Sequence, residues 1–164
     1  MADINTEVTA EVVQHAEEEV RICLFSISGD TYAVTVDLLA EIIIPQKVFP
    51  VPTTPSHVIG IINLRGNIVP IVDIRPVLSL PSTAGLNQVA IIRHEQLTIG
   101  IVVDSVADVI SVPVSSILPL PAETAVQESD TKGRSRYLKA IVQRQNGVAA
   151  LLNIDRLLEA IRLS

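Results

Sequence analysis

Apolar residues recur along this chain in short runs with the period of strands, separated by turn signals. Arg21 to Ser28 reads as a strand with Gly29-Asp30 as its turn. Tyr32, Val34 and Val36 then alternate with Ala33 and Thr35, and Asp37 to Ile44 reads as a short helical turn running into a strand. Pro45 to Pro55 holds four prolines, which excludes a helix or a central strand. Ile59–Leu64 and Ile68–Ile74 flank a hairpin turn at Arg65-Gly66-Asn67, where Gly66 readily takes positive φ. Val89–Arg93 and Leu97–Val103 form a second hairpin across His94-Glu95-Gln96. Val106 to Leu118 is strand-like but contains Pro113, so it is an edge strand or two short pieces. Pro119 to Arg136 is a polar loop, and Tyr137–Arg144 and Val148–Leu152 make a hairpin across Asn146-Gly147. The final element is a helix with Asn153 as its cap and Asp155 in its first turn. Ile154, Leu157, Leu158 and Ile161 form its apolar stripe, the simplest role of which is a lid on a barrel mouth.

The pattern repeats. A shift of 67 aligns Leu24–Ile43 with Ile91–Ile110, and a shift of 80 aligns Ile61–Leu78 with Ile141–Leu158, neither with a gap. The same pieces occur twice in the same order. Two small barrels of about five strands follow, because closing each sheet on itself removes the edges that short hairpins would otherwise expose.

Composition narrows the function. Among 164 residues 48% are apolar and 2% aromatic, so the core is built from Val, Ile, Leu and Ala. A mean hydropathy of +0.45 requires either a large core or apolar surface left for a partner. No run is long enough for a membrane span, no secretory signal opens the chain, and a lone Cys23 excludes an internal disulfide, so a cytoplasmic location without membrane insertion is expected. The net charge is −6. Residues 1–19 carry Asp3, Glu7, Glu11, Glu17, Glu18 and Glu19 and no base, so they read as a solvated, flexible acidic tail. The remaining acids and bases balance at twelve each, and a neutral body argues against a nucleic-acid partner.

Candidate chemistry is sparse. His15, His57 and His94 have no ligand-spaced neighbours, and nucleophile-elbow and phosphate-loop motifs are missing. No catalytic residue, metal or cofactor is expected. Cys23 reads as buried and inert, and Asp37, Asp73 and Asp104 as turn or cap residues. Two charges stand out. Arg65 sits at a hairpin tip between apolar strands, and Glu41 is the one charge in Leu38–Pro45. A charge in such a run is exposed on an edge or paired. The bland reading is a turn arginine and an edge glutamate; the sharp one is a Glu41–Arg65 pair shaping a partner surface.

Asn63-Leu64-Arg65-Gly66 followed by Ile68-Val69-Pro70-Ile71-Val72-Asp73-Ile74-Arg75 resembles the hallmark segment of CheW-like chemotaxis coupling domains. Asp37–Ile42, Gly100–Asp104, Val106–Val109 and Leu151–Leu158 match in the same order, so the resemblance spans roughly 20–160. It implies a mostly β fold of two five-stranded SH3-like barrels with a C-terminal helix. Residues 20–162 form the domain, with the barrels at roughly 20–80 and 86–158 and an exchange of their ends left open. The implied function is a non-enzymatic adaptor between the cytoplasmic tip of a methyl-accepting chemoreceptor and a CheA-type histidine kinase. The implied kinase-binding residues are Leu39, Glu41, Ile42, Gly60 and Arg65, and the implied receptor-binding residues are Val89 and Ala90. The alternative is a stand-alone CheW-like module that binds another signalling protein or ligand. Leu138-Lys139-Ala140-Ile141 departs from the glycine that many relatives carry before the last hairpin.

Overall fold

A computed structural model describes residues 18–45, 47–55, 57–81, 88–120 and 134–162. Residues 1–17, which include His15 and most of the acidic tail, lie outside the described residues, as do 121–133 of the polar loop. Eleven strands and one α-helix are described: β1 Glu19–Ile27, β2 Asp30–Thr35, β3 Leu39–Ile43, β4 Val58–Leu64, β5 Asn67–Val72, β6 Gln88–His94, β7 Leu97–Val103, β8 Ser105–Pro113, β9 Ile117–Pro119, β10 Leu138–Arg144, β11 Gly147–Leu152 and α1 Ile154–Arg162. Short 3-10 turns, Val36–Leu38 and Val114–Ser116, precede β3 and β9. Pro113 closes β8, so the strand-like stretch around it is two pieces.

The strands form a five-stranded sheet ordered β3-β6-β7-β5-β4 and a six-stranded sheet ordered β8-β1-β2-β11-β10-β9. These orders superimpose under the sequence repeat. The shift of 67 carries β1, β2 and β3 onto β6, β7 and β8, and the shift of 80 carries β4 and β5 onto β10 and β11. Each sheet therefore takes strands from both halves of the repeat. Two parallel pairs make the joins: Ile71 opposite Gly100, and Leu151 opposite Ala33. The three-residue β9 is the sixth strand, pairing Leu118 with Ile141. Its counterpart in the five-stranded sheet is a single bridge between Phe49 and Ile61.

Three apolar clusters account for the patterning. Ile62, Val69, Ile71, Val89, Ile91 and Val102 fill the curl of the five-stranded sheet. Ile22, Leu24, Ala33, Val112, Ala140, Val142, Ala149 and Leu151 fill that of the six-stranded sheet. The largest cluster lies between the sheets, with Cys23, Phe25 and Val34 from one and Ala90, Ile92 and Ile101 from the other. Leu157 and Leu158 of α1 complete it, so the helix stripe packs on the shared core. Strands β1 and β6 thus bury both faces, one inside a barrel and one between barrels, which is why they read as continuous apolar runs. The Asn153 carboxamide accepts a hydrogen bond from the Arg156 amide at 3.2 Å, capping α1.

Local turn geometry differs from the sequence expectation by one residue. The first hairpin turns on Ser28-Gly29 rather than Gly29-Asp30, with φ of +52° and +88°. Arg65-Gly66 repeats those angles, and Asn67 is already in β5. Positive φ at both central residues gives the twist that tight hairpins favour. The last hairpin turns on Gln145-Asn146, and Gly147 opens β11 at φ +133°.

Buried charge marks the passage between sheets. Arg75, 2% exposed, follows β5. Its Nη1 donates to Asp73 Oδ1 at 3.2 Å, and its Nη2 donates to Asp104 Oδ1. Asp104, between β7 and β8, accepts from the Ser28 amide through Oδ2 at 2.7 Å. Its own amide donates to the Ser26 carbonyl at 2.8 Å. Asp73 and Asp104 are therefore ion-pair partners of a buried arginine as well as turn residues.

Gly60 tests the close approach that holds the single bridge. A β-carbon there would lie 2.4 Å from the Phe49 carbonyl oxygen and 2.8 Å from Val48 Cγ1. Its repeat counterpart is Ala140, where a methyl group is accommodated in the barrel core. Gly60→Ala is expected to cost about 1–3 kcal/mol through overpacking and backbone shift. Thermal unfolding should show the midpoint falling by about 2–4 °C per kcal/mol lost. An unchanged midpoint would mean that Val48-Phe49 moves aside freely.

Candidate interaction surface

Glu41 lies on β3 and Arg65 at the β4–β5 tip, so they come from the two edges of the five-stranded sheet. Arg65 Nη1 donates to Glu41 Oε2 at 2.6 Å and Nη2 to Oε1 at 2.8 Å. This planar two-point match is specific to arginine, and it shows the sheet curled far enough for its edges to meet. The tip is held from beneath, because the Gly66 amide donates to Asn63 Oδ1 at 2.8 Å. A non-glycine residue at φ +52° is sterically disfavoured. Strand pairing on both sides and the Glu41 contact over-determine Arg65 in that conformation.

The pair remains open to solvent, with 71% of the Arg65 side chain and 27% of Glu41 exposed. The hydrogen bond from Arg65 holds the Glu41 carboxyl below its usual range. Partial desolvation opposes that shift, and the positive charges of Arg65 and Arg93 add to it. The same bond holds the guanidinium further toward its charged form.

The same sheet and the segment following β3 also expose large apolar side chains. Ile44, Phe49 and Ile68 are 70%, 45% and 63% exposed. Ile44, Lys47, Phe49 and Leu64 line one shallow depression, and Ile68, Pro70 and Leu97 line another across the hairpin. The Lys47 ammonium sits 4.8 Å from the Phe49 ring centroid. Sequence reasoning did not single out Ile44, Phe49 or Ile68. The positive mean hydropathy signalled exposed apolar surface without locating it.

The other sequence candidates separate clearly. Leu39 and Ile42 are half-buried on the same strand as Glu41 and pack against the shared core. Gly60 is buried and seats Phe49. Val89 and Ala90 do not join this surface. They lie on β6 between β3 and β7 and are 0% and 1% exposed. Val89 packs in the barrel core and Ala90 in the shared core. Both are core residues, on a strand paired on both edges and packed on both faces. Cys23 is Ala90's repeat counterpart; it is likewise buried, and burial followed by the charge of Asp108 raises its thiol pKa.

Two outcomes test the pair. Single reversals Glu41→Arg and Arg65→Glu should each weaken partner binding, and the double reversal should recover much of it in a binding titration. No recovery would reject the pair as a unit. The pH dependence follows from the lowered Glu41 value. The pair is fully formed above the unfolded carboxylate range and is lost as pH falls through the lower folded value. An NMR titration should therefore place the Glu41 midpoint below that of a peptide glutamate, and Arg65→Gln should raise it.

The profile of the CheW-like domain matches residues 21–162. The chain is 28% identical over 141 residues to "Chemotaxis protein CheW" of Bacillus subtilis, covering 85% of this chain and 86% of that relative. It is 31% identical over 139 residues to "Chemotaxis protein CheW" of Klebsiella aerogenes, covering 84% and 80%. A solved structure, scaffolding protein TtCheW from Thermoanaerobacter tengcongensis, has the same fold with a TM-score of 0.72 at 23% identity, covering 85% of this chain and 88% of that one. With the Asn63–Arg75 segment forming the β4–β5 hairpin of a repeated two-sheet fold, the chain belongs to the family of CheW-like domains.

Proposed function

We propose that this chain is a non-enzymatic adaptor that couples a chemoreceptor to a CheA-type histidine kinase. Its relatives bear the name chemotaxis protein, and the structural neighbour is called a scaffolding protein. The observation that carries the reading is the accessible Glu41–Arg65 pair on a sheet that also exposes Phe49 and Ile68. Protein-binding surfaces concentrate affinity in an arginine or aromatic anchor ringed by apolar contacts. The surface offered to the kinase is Leu39, Glu41, Ile42 and Arg65, with Gly60 acting through the Phe49 it seats.

The repeat separates this surface from barrel construction. Glu41 and Arg65 correspond to Asp108 and Gln145, which cannot form the same ion pair. The six-stranded sheet closes without it, using β9 on the edge that Phe49 only touches in the other. The pair therefore both ties two sheet edges together and presents a charged anchor.

The test is a pull-down from the source cell, followed by kinase autophosphorylation with receptor present. The chain should recover a CheA-type kinase and make its activity depend on receptor. Arg65→Glu should keep the thermal midpoint close to that of the unaltered chain, because exposed ion pairs contribute little to stability. It should weaken kinase binding about tenfold or more, as loss of an interface anchor does. Undiminished binding by that variant would remove Arg65 from the surface, and failure to recover any kinase would defeat the adaptor reading.

A further inference from the structure

The repeat makes the two passages between the sheets comparable residue by residue. At the first, Asp73 and Arg75 follow β5 and meet Asp104 and the Ser28 turn. At the second, their counterparts Asn153 and Asp155 follow β11, and the counterparts of Asp104 and Ser28 are Asp37 and Glu95. Chain topology is the same at both, and side-chain chemistry is not.

At the first passage the Arg75 guanidinium is 2% exposed. It bridges a carboxylate at the end of the five-stranded sheet to one bonded into the β1–β2 turn of the six-stranded sheet. The Ser28 hydroxyl also donates to the Pro81 carbonyl at 2.7 Å, tying that turn to the loop carrying Arg75. Separating the sheets here would break the link that runs from Arg75 through Asp104 to the Ser28 turn and disrupt a buried ion-pair network, which is costly. At the second passage a cross-sheet contact runs from His94 Nε2 to Asp155 Oδ1 at 2.5 Å, and Asp155 is 73% exposed. A solvent-exposed pair restrains little. Asp155 occupies the place of Arg75, so building a barrel does not require an arginine there.

We propose that Arg75 is a positioning residue that fixes the angle between the two barrels, confining their relative motion to the passage at His94 and Asp155. For the coupling function, which rests on the adaptor reading above, Arg75 then sets how the Arg65 surface is oriented relative to whatever the second barrel contacts.

The experiment places spin labels at Asn67→Cys and Asn146→Cys, exposed hairpin sites on opposite sheets, in the full chain with buried Cys23 retained. Pulsed electron-spin distance measurement should give one narrow distribution. Arg75→Met should broaden it, and Arg75→Lys, which keeps the charge but cannot fork between two carboxylates, should fall between. If Arg75→Met does not fold, Arg75→Lys and Asp104→Asn carry the test by the same broadening. Distributions that overlay the unsubstituted one in every folded variant overturn the proposal.

A second arm uses the kinase recovered from the source cell. Arg75→Lys should bind it as the unsubstituted chain does, yet lose about tenfold in receptor-dependent activation, the size of a typical coupling between sites. Retained activation, or binding and activation lost in parallel, counts against a positioning role. If the unsubstituted chain binds no kinase, the adaptor reading fails while the distance measurement still judges Arg75.

Discussion

The apolar layer between the two sheets is the constraint on which the rest of this structure depends. Among the described residues it holds eighteen buried side chains, against eight and six inside the individual barrels. A barrel of five or six short strands buries only a small core of its own. Joining two back to back gives β1, β2, β6 and β7 a second buried face, and α1 and the loop with Ile74, Leu78 and Leu80 close the rim. The near-absence of aromatics is accommodated in the same way, because β-branched side chains on paired strands pack densely without large rings.

Charge is placed in two contrasting ways on this frame. Arg75 lies inside it, held by Asp73 and Asp104, and its energetic weight comes from what its partners prevent. Arg65 lies outside it, held at positive φ by Glu41 and a two-residue loop. Its contribution to stability is small, and its value is as a rigid, pre-oriented cation in an apolar setting. Both arginines belong to one sixteen-residue segment, Gly60 to Arg75, so a single hairpin joins an outward-facing anchor to an inward-facing pin.

The repeat made much of this legible beforehand. Strands β4 and β10, and β5 and β11, have matching bounds and nearly matching burial patterns. The positions buried in one hairpin are buried in the other. Arg65 and Glu41 stood out because a lone charge in an apolar run needs a partner, and the structure supplies each to the other. Arg75 did not stand out. Near a strand end, an arginine two residues after an aspartate reads as an ordinary turn, and its burial depends on a sheet distant in sequence. Turn positions slipped by one residue because Gly-Asp and Asn-Gly dipeptides mark the neighbourhood of a hairpin more reliably than which two residues form its loop.

The amino-acid sequence by itself determined the local units: hairpins closed by short turns, a capped amphipathic helix, a twofold repeat, and the type of residue forming the core. These depend on neighbours a few positions apart, whose spacing is written directly in the chain. Only the tertiary structure decided that β5 lies parallel to β7 and β11 to β2, so that each barrel is made from both halves. It also decided that Val89 and Ala90 are interior rather than surface. A strand apolar on both faces carries no mark of which face meets which neighbour. That choice is made by the shared layer between the sheets, where burial against a distant partner, rather than spacing, sets the lowest free energy.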